Sequence, residues 1–486
     1  MLFLLRMKES CDAVLGGPLL SKSVIESIFS TLVLSPSVSP LPEICLYPFA
    51  SMEENKDQTH IAVIGCGYVG LTTAACLASL GHVVVGVESS LGRLESLQEG
   101  DVPFFEPELE ELVNSGFEAK NLTFTSDLRS AVSQAQFVFV CVPTPSQDDG
   151  SADLSVVRSV SKEMSDSLTS GSIVVLKSTV PIGTSVQVDE WIDRNDVEVA
   201  SNPEFLQAGR AVAAFKNPDR IVIGANTLAT REKVAELYAK VFAPVVCTDS
   251  RSAELIKYAS NAYLASRITF VNNIAELCEK TGGEASTVLR GLGLDKRIGE
   301  AFLQPGPGWG GSCFPKDTRA LISVASEAGS DATLLNAVLE SNETRFAQIA
   351  AVISESFTGH EEIQVAMLGL TFKAGTDDLR ESPSLKVASL LLNSGVKIVG
   401  YDPHIATTPL KGLEIVQSVE EAVKDSDALV VMTEWERFID LDPGELIKLM
   451  NGKTIVDTRA ILNSKNYVDA GFSVWQTGQG WKKPAK

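Results

Sequence analysis

One cysteine stands in the run Gly306-Pro-Gly-Trp-Gly-Gly-Ser-Cys-Phe-Pro-Lys-Asp317, between a glycine-rich approach and the helix-patterned segment DTRALISVASEAG. A nucleophile is presented in this way. Gly306, Gly308, Gly310 and Gly311 let the backbone take positive φ and let a ligand come close, and Pro315 suits a first helical position. A helix N-terminus and the neighbouring Lys316 would both favour the thiolate of Cys313, the form that attacks carbonyl carbon. Asp317, four residues on, would sit one turn away and handle a proton. The competing reading is a small buried cysteine beside a turn.

A second chemical signal lies in HIAVIGCGYVGLTTAACLASLGHVVVGVESS, where an apolar run ends in Gly65-Cys-Gly67-Tyr-Val-Gly70 and leads into a helix of small residues. A second apolar run follows and ends at Glu88. This is the order of a dinucleotide site: strand, tight glycine turn, helix N-terminus facing the pyrophosphate, second strand, then an acid for the ribose hydroxyls. Glu88 would repel a 2′-phosphate, so the expected cofactor is NAD and not NADP. Cys66 reads as a small filler.

The elements that must position these groups come in three blocks. From His60 to about Asp249 the runs IAVIG, VVVGV, LTF, FVFVCVP, SIVVLKS, VEVAS, RIVIGA and PVVC alternate with helical stretches. That rhythm predicts a doubly wound, mostly parallel sheet. Three loops at carboxyl ends of these strands carry polar residues fixed by proline: Pro143-Thr144-Pro145, Ser178-Thr179-Val-Pro181 and Asn202-Pro-Glu204-Phe-Leu206. From Ser252 to about Phe346 the chain reads as helical throughout, opening with a long helix that suits domain linkage or dimerisation. On it Lys257 and Asn261 are four apart and share a face, where an amine and an amide could bind one oxygen. Taken alone, Lys257 and Arg297 also read as solvated surface residues. From Ile363 onward IQVAMLGL, VKIVGYD, ALVVMT and KTIVD restore the strand–helix rhythm, with Gly369-Leu-Thr-Phe-Lys373 in place of GxGxxG. A second nucleotide-type fold for something other than a dinucleotide follows, with Arg380 and Arg459 available for phosphates or for surface salt bridges.

The 486 residues, 44% of them hydrophobic, suffice for two or three domains. A formal net charge of −21 argues against nucleic-acid or anionic-membrane partners. An anionic small ligand would need a locally basic pocket, for which Lys257, Arg297, Lys316, Lys373 and Arg459 are candidates. The eight cysteines form no CxxC pair, which fits a reducing cytoplasm. The four histidines form no ligand-spaced cluster with them, so no metal site is expected. No apolar run is long enough to cross a bilayer. Residues 1–58 lack strong periodicity and read as an appendage, with Met52, just ahead of EENKDQT, a plausible translation start.

From His60 to about Phe472 the chain resembles the UDP-glucose/GDP-mannose dehydrogenase family, in its UDP-glucose branch. The resemblance rests on GCGYVG, CVPTP, KSTVP, NPEFL, ELIKYASNA, PGPGWGGSCFPKD, GLTFKAGTDDLRESPS and YDP, in that order. It implies two Rossmann-like doubly wound domains joined by a long central helical segment: an NAD-binding domain over 59–250, a central domain with the cysteine loop over 251–346, and a UDP-sugar-binding domain over 347–486. It also implies a homo-oligomer through the central helix. The implied activity is a four-electron oxidation of a UDP-glucose C6 alcohol to the carboxylate with two NAD in turn, through a Cys313 thiohemiacetal and thioester.

Position by position, the resemblance places Lys257 and Asn261 at the developing oxyanion, with Lys257 also a candidate base. Asp317 falls at the water- or proton-handling carboxylate, and Thr179 and Glu204 at the catalytic water. Phe205, Leu206, Phe302, Gly310 and Lys373 fall in the sugar-nucleotide pocket beside Glu204, Lys257 and Asn261. Arg459 binds on the sugar side, and Arg297 reaches the substrate from a neighbouring subunit. Gly65, Gly67, Tyr68, Val69, Gly70, Glu88, Arg93, Thr144, Thr179, Lys316 and Arg380 fall on the cofactor. Two positions depart from the pattern. The family's second acid, four residues after the Glu204 position, is here Ala208, which predicts slower thioester hydrolysis or a proton route through Glu204 alone. Trp309 replaces a common phenylalanine and is expected to alter packing. Another nucleotide sugar, such as GDP-mannose or a UDP-N-acetylhexosamine, and a non-catalytic nucleotide-sugar sensor are the competing functions.

Overall fold

The computed structural model describes residues 58–357 and 363–485, so the expected appendage and Met52 lie outside the described residues. Eight strands form the first sheet: β1 (His60–Ile64), β2 (Val83–Val87), β3 (Leu122–Thr125), β4 (Phe137–Val140), β5 (Ile173–Leu176), β6 (Glu198–Ser201), β7 (Ile221–Ala225) and β8 (Val245–Thr248). Their order is β3-β2-β1-β4-β5-β6-β7-β8, parallel except where β6 meets β7. The expected apolar runs are all strands, because a parallel sheet is covered on both faces and tolerates apolar side chains on either. Along β1, Ile61 and Val63 enter one core and Ala62 and Ile64 the other.

The second sheet contains β9 (Gln364–Leu368), β10 (Lys397–Tyr401), β11 (Leu413–Ile415), β12 (Ala428–Val431), β13 (Thr454–Asp457), β14 (Ser473–Gln476) and β15 (Gly480–Lys482). Its order is β11-β10-β9-β12-β13-β14-β15, with only β15 antiparallel to its neighbour. In both sheets the chain reverses its winding beside the first strand, at β1/β4 and at β9/β12. Crevices at the carboxyl ends of strands open at such points.

Between the sheets runs a 32-residue helix, Ser250–Thr281, started by the Asp249 carboxylate accepting from Ser252 N and ended at Gly282 in the left-handed region. The expectation of helix throughout this block fails between two shorter pieces. Helix Ala285–Gly293 gives way to a chain without regular structure that lasts until helix Phe314–Glu327. Glycines and prolines there are spent on the cysteine loop. The last helix of the block, Thr333–Glu355, carries on past Phe346, because Phe346, Ile349 and Ile353 pack into the core of the second sheet. Among the described residues, no helix is long and apolar enough to cross a membrane.

The cysteine loop is held at both edges. Asn342 of the last helix accepts from Trp309 N at 2.9 Å and donates to Trp309 O at 2.9 Å. The Trp309 indole N–H donates to Thr269 Oγ1 of the central helix at 2.8 Å, so tryptophan here adds a bond that phenylalanine could not. Gly311 N donates to Arg380 O at 3.1 Å, docking the loop on the second domain. A Cβ at Gly310 would collide with the Glu381 carbonyl. Gly310→Ala is therefore expected to cost about 1–3 kcal/mol by overpacking, seen as a lowered thermal unfolding midpoint, while NADH binding to the first domain persists.

Candidate active site

A cleft of about 2300 Å³ separates the carboxyl ends of the two sheets. A pocket for one drug-sized ligand occupies about 300–1,000 Å³, so two ligands can lie side by side. Basic side chains slightly outnumber carboxylates along its walls, in a chain whose formal charge is −21.

At one end lies the glycine turn. Gly65 has φ +89°, and a Cβ on Gly70 would collide with the Gly65 carbonyl, so Gly70 acts behind the wall by letting the turn close. Around Gly67 the space for a Cβ is open, leaving the N-terminus of helix Tyr68–Ser79 free to face an anion. Glu88, just past β2, is 4% exposed and accepts from Ser90 N at 2.8 Å and Arg93 Nη1 at 3.3 Å. Gly65, Gly67, Tyr68, Val69, Glu88, Arg93 and Thr144 all face the cleft. A dinucleotide fits this end: glycines leave room, the helix start offers N–H groups, and the acid would meet ribose hydroxyls. In the second sheet the matching acid, Asp402 after β10, already accepts from Leu370 N, Thr371 N and the Trp435 indole. That site is closed to a ribose by the protein's own loop.

At the centre Cys313 caps helix Phe314–Glu327 and is open to the cleft. Lys257, from the central helix, is 3% exposed and no surface lysine; its Nζ lies 3.0 Å from Glu204 Oε1. One turn along, Asn261 donates to Asp317 Oδ2 at 2.6 Å, while Lys316 donates to Asp317 Oδ1 at 2.7 Å. Asp317 is fully buried behind the cysteine and does not itself face the cleft. Its first role is to fix Asn261 and Lys316. Thr179, Phe205, Leu206, Phe302, Gly310, Lys373, Arg380 and Arg459 line the remaining walls. Phe302 sits at φ +57°, a left-handed conformation rare for a bulky residue and common at ligand sites. Arg380 is clamped by Asp378 at 2.7 Å, and Arg459 by Glu434 at 3.1 Å. Arg297 lies elsewhere: its side chain is 87% exposed and pairs with Asp295 at 2.6 Å. It contributes nothing to the cleft of its own chain.

Three family models match along the chain: the UDP-glucose/GDP-mannose dehydrogenase NAD binding domain over residues 59–242, the central domain over 251–344 and the UDP binding domain over 366–464. The chain belongs to the UDP-glucose/GDP-mannose dehydrogenase family. It is 42% identical over 433 residues to a UDP-glucose 6-dehydrogenase of Rhizobium meliloti, covering 86% of this chain and 99% of that protein. It is 41% identical to one of Pseudomonas aeruginosa, covering 85% and 96%. Among solved structures, a UDP-glucose dehydrogenase of Pyrobaculum islandicum superposes with TM-score 0.80 at 33% identity, covering 89% of this chain and all of that one. A UDP-D-ManNAc dehydrogenase of Pyrococcus horikoshii gives 0.78 at 28%, covering 86% and 99%. The fold, the NAD cofactor and the oxidoreductase class follow from this membership.

Electrostatics in this family site differ from the sequence expectation at one point. Although Cys313 is open to the cleft, desolvation by the walls around it lifts its thiol above the usual range; the Lys257 charge opposes this, but Glu204 and Asp317 add to the rise. Lys316, expected to favour the thiolate, is instead committed to Asp317. Burial would also lift Glu204, yet the Lys257 charge, the Leu206 N–H and the Lys177 charge together hold it below the usual carboxylate value. For Lys257 burial pulls down, and Glu204, Cys313 and Asp317 carry it up. The pair is therefore ionised.

Sequence reasoning passed over several supports. Lys177 of KSTVP is buried, donates to Asn202 Oδ1 at 3.0 Å, and is brought by burial to a pKa of about 8. Arg345 is buried and donates to Gly306 O at 3.1 Å. Glu106 bridges two loops. Only the lysine's place in a strand-end motif offered a signal.

Glu204 stabilises the fold above its unfolded pKa of about 4.3 and loses that contribution as pH falls through its lower folded value. Lys257 stabilises below its unfolded pKa of about 10.4, a contribution lost as pH rises through its higher folded value. In Lys257→Met burial dominates Glu204 and the sign reverses. The variant is expected to lose about 3–5 kcal/mol at pH 7 and distinctly less near pH 4. Chemical unfolding at the two pH values checks this; an equal loss at both would show that the pair is not ionised.

Proposed function

We propose that the chain oxidises UDP-glucose to UDP-glucuronate with two NAD in turn, using Cys313 as a covalent nucleophile. The observation that carries this reading is a cysteine open to a two-ligand cleft, with Lys257 and Asn261 on one helix face beside it. NAD, when bound, accepts hydride and so supplies the oxidation. An ordinary alcohol dehydrogenase needs no cysteine, whereas a four-electron oxidation needs a tetrahedral adduct that can lose a second hydride.

Lys257 is protonated in this state, so it donates to the C6 oxygen rather than taking its proton. Glu204 is ionised and is the group that accepts protons, through water held near Thr179. Once C6 is an aldehyde, the Cys313 sulfur forms a bond to it, the thiol proton leaves toward Glu204, and the oxygen becomes an oxyanion. Lys257 and Asn261 hold that oxyanion, as preorganised donors should. Loss of hydride from the same carbon leaves a thioester. Water then breaks the carbon–sulfur bond, giving the carboxylate and restoring the thiol. In sum the alcohol and one water yield the carboxylate, two hydrides and three protons. Ala208 cannot relay protons, so hydrolysis leans on Glu204.

Oligomerisation through the central helix is part of the same reading. Leu255, Tyr263, Phe270 and Leu277 are 45%, 64%, 53% and 56% exposed and recur at helical spacing, a stripe a second copy would cover. The exposed Arg297 would then be free to reach the partner's cleft. Among the described residues, Cys66, Cys76, Cys141, Cys247, Cys278 and Cys313 form no disulfide with one another, in keeping with a reducing cytoplasmic setting.

With limiting UDP-glucose the expected yield is two NADH per sugar consumed, abolished in Cys313→Ser. Turnover of GDP-mannose or UDP-N-acetylglucosamine in its place would move the substrate, as likeness to the UDP-D-ManNAc enzyme allows. Tight UDP-glucose binding with no NADH from any sugar would favour a sensor.

A further inference from the structure

Glu106 lies in the loop Asp101–Glu108, outside every motif discussed above. It is 6% exposed, and its carboxylate is shared between a helix residue, Tyr68, and the loop that runs to Ala211. One oxygen accepts from the Tyr68 hydroxyl and from Gly209 N at 2.7 Å; the other accepts from Ala211 N at 2.6 Å. Tyr68 opens the helix behind the glycine turn and is among the residues that line the cleft. Burial and the bond to Glu106 push its hydroxyl far above the usual range, so it remains a donor. Gly209 and Ala211 end the loop that carries Glu204, Phe205 and Leu206. On its other side Gly209 presses on the second domain, where a Cβ would collide with the Gly375 carbonyl. The Asp101–Glu108 loop spans the cleft itself: Phe105 N donates to Asp377 Oδ2 at 3.1 Å, and its ring stacks on His404 at 4.1 Å.

We propose that Glu106 is a positioning residue that couples cofactor occupancy to the order of the sugar-binding loop, a role that rests on the NAD and nucleotide-sugar reading. A dinucleotide over Tyr68 restrains the ring; the hydroxyl restrains Glu106; Glu106 holds the two N–H groups that set the exit of the loop. Coupling of this kind is reciprocal, so sugar binding tightens NADH by the factor that NADH tightens the sugar.

The test uses the full chain with NADH, which cannot oxidise the sugar. Hydrogen–deuterium exchange of the peptide spanning residues 204–213 is expected to slow on adding NADH alone, and NADH is expected to tighten UDP-glucose by about 5-fold or more. Tyr68→Phe keeps the ring and removes one hydroxyl; Glu106→Gln leaves one acceptor and sets an amide N–H against a donor. Both should abolish the slowing and bring the tightening factor toward one, with a double variant no worse than the poorer single. A purely structural Glu106 would weaken UDP-glucose equally with and without NADH. That result, or NADH-insensitive exchange in the unmodified chain, or full slowing retained in Tyr68→Phe, overturns the proposal. Exchange coupling without any UDP-glucose binding would sink the substrate and leave the role of Glu106 standing.

Discussion

The buried ion pair between Lys257 and Glu204, 3.0 Å apart and each about 5% exposed or less, sets the terms for the rest of the site. Two charges removed from water are tolerated only when they meet in good geometry with further bonds. Lys257 comes from the central helix and Glu204 from the loop after β6, so helix and sheet must hold a fixed register. Two devices secure it. The Glu254 carboxylate, one turn before Lys257, accepts from Gly183 N, Ser185 N and Ser185 Oγ at 2.5, 2.8 and 2.6 Å, tying the central helix to the helix that follows β5. Gly224 in β7 lets the start of the central helix lie against the sheet, since a Cβ there would meet Ala253 Cβ at 2.6 Å.

From that pair the site builds outward. The helix face that carries Lys257 also carries Asn261, whose amide is fixed by Asp317, and Asp317 sits one turn behind Cys313. Each polar group near the cysteine is thus held by another that is itself buried. Such a network is costly if one member is missing and specific if all are present. The cysteine loop bridges this network to the second domain through Gly311 and Arg380. A nucleophile made by one domain is in this way aligned with a pocket completed by the other.

Much of this was legible in the sequence, for identifiable reasons. Parallel strands are unbroken apolar runs, so the expected twelve stand out, whereas β11 and β15 have only three residues each and β14 begins and ends in polar Ser473 and Gln476. The cysteine loop was legible because its backbone needs glycine and proline at fixed spacing. The central block reads as helical throughout because residues 294–305 offer a single glycine, Gly299, before Pro305. Lys257 looked like a surface lysine because its partner lies 53 residues away. Glu106 meets donors 103 and 105 residues on, a relation that no local pattern records.

The raised thiol of Cys313 follows from the same arrangement. Desolvation does most of this, and the ionised carboxylate adds to it, because a thiolate beside it would repel it in a medium that screens charge poorly. Lys257 offsets part of that repulsion for both. With the thiol protonated at rest, sulfur reactivity is tied to the arrival of an electrophile and to a base ready to take the proton, which Glu204 is. A thiolate poised in advance would react with any electrophile entering the cleft. Holding the charge on Glu204 and the proton on sulfur confines covalent chemistry to the moment when a carbonyl stands between Cys313 and the Lys257–Asn261 face.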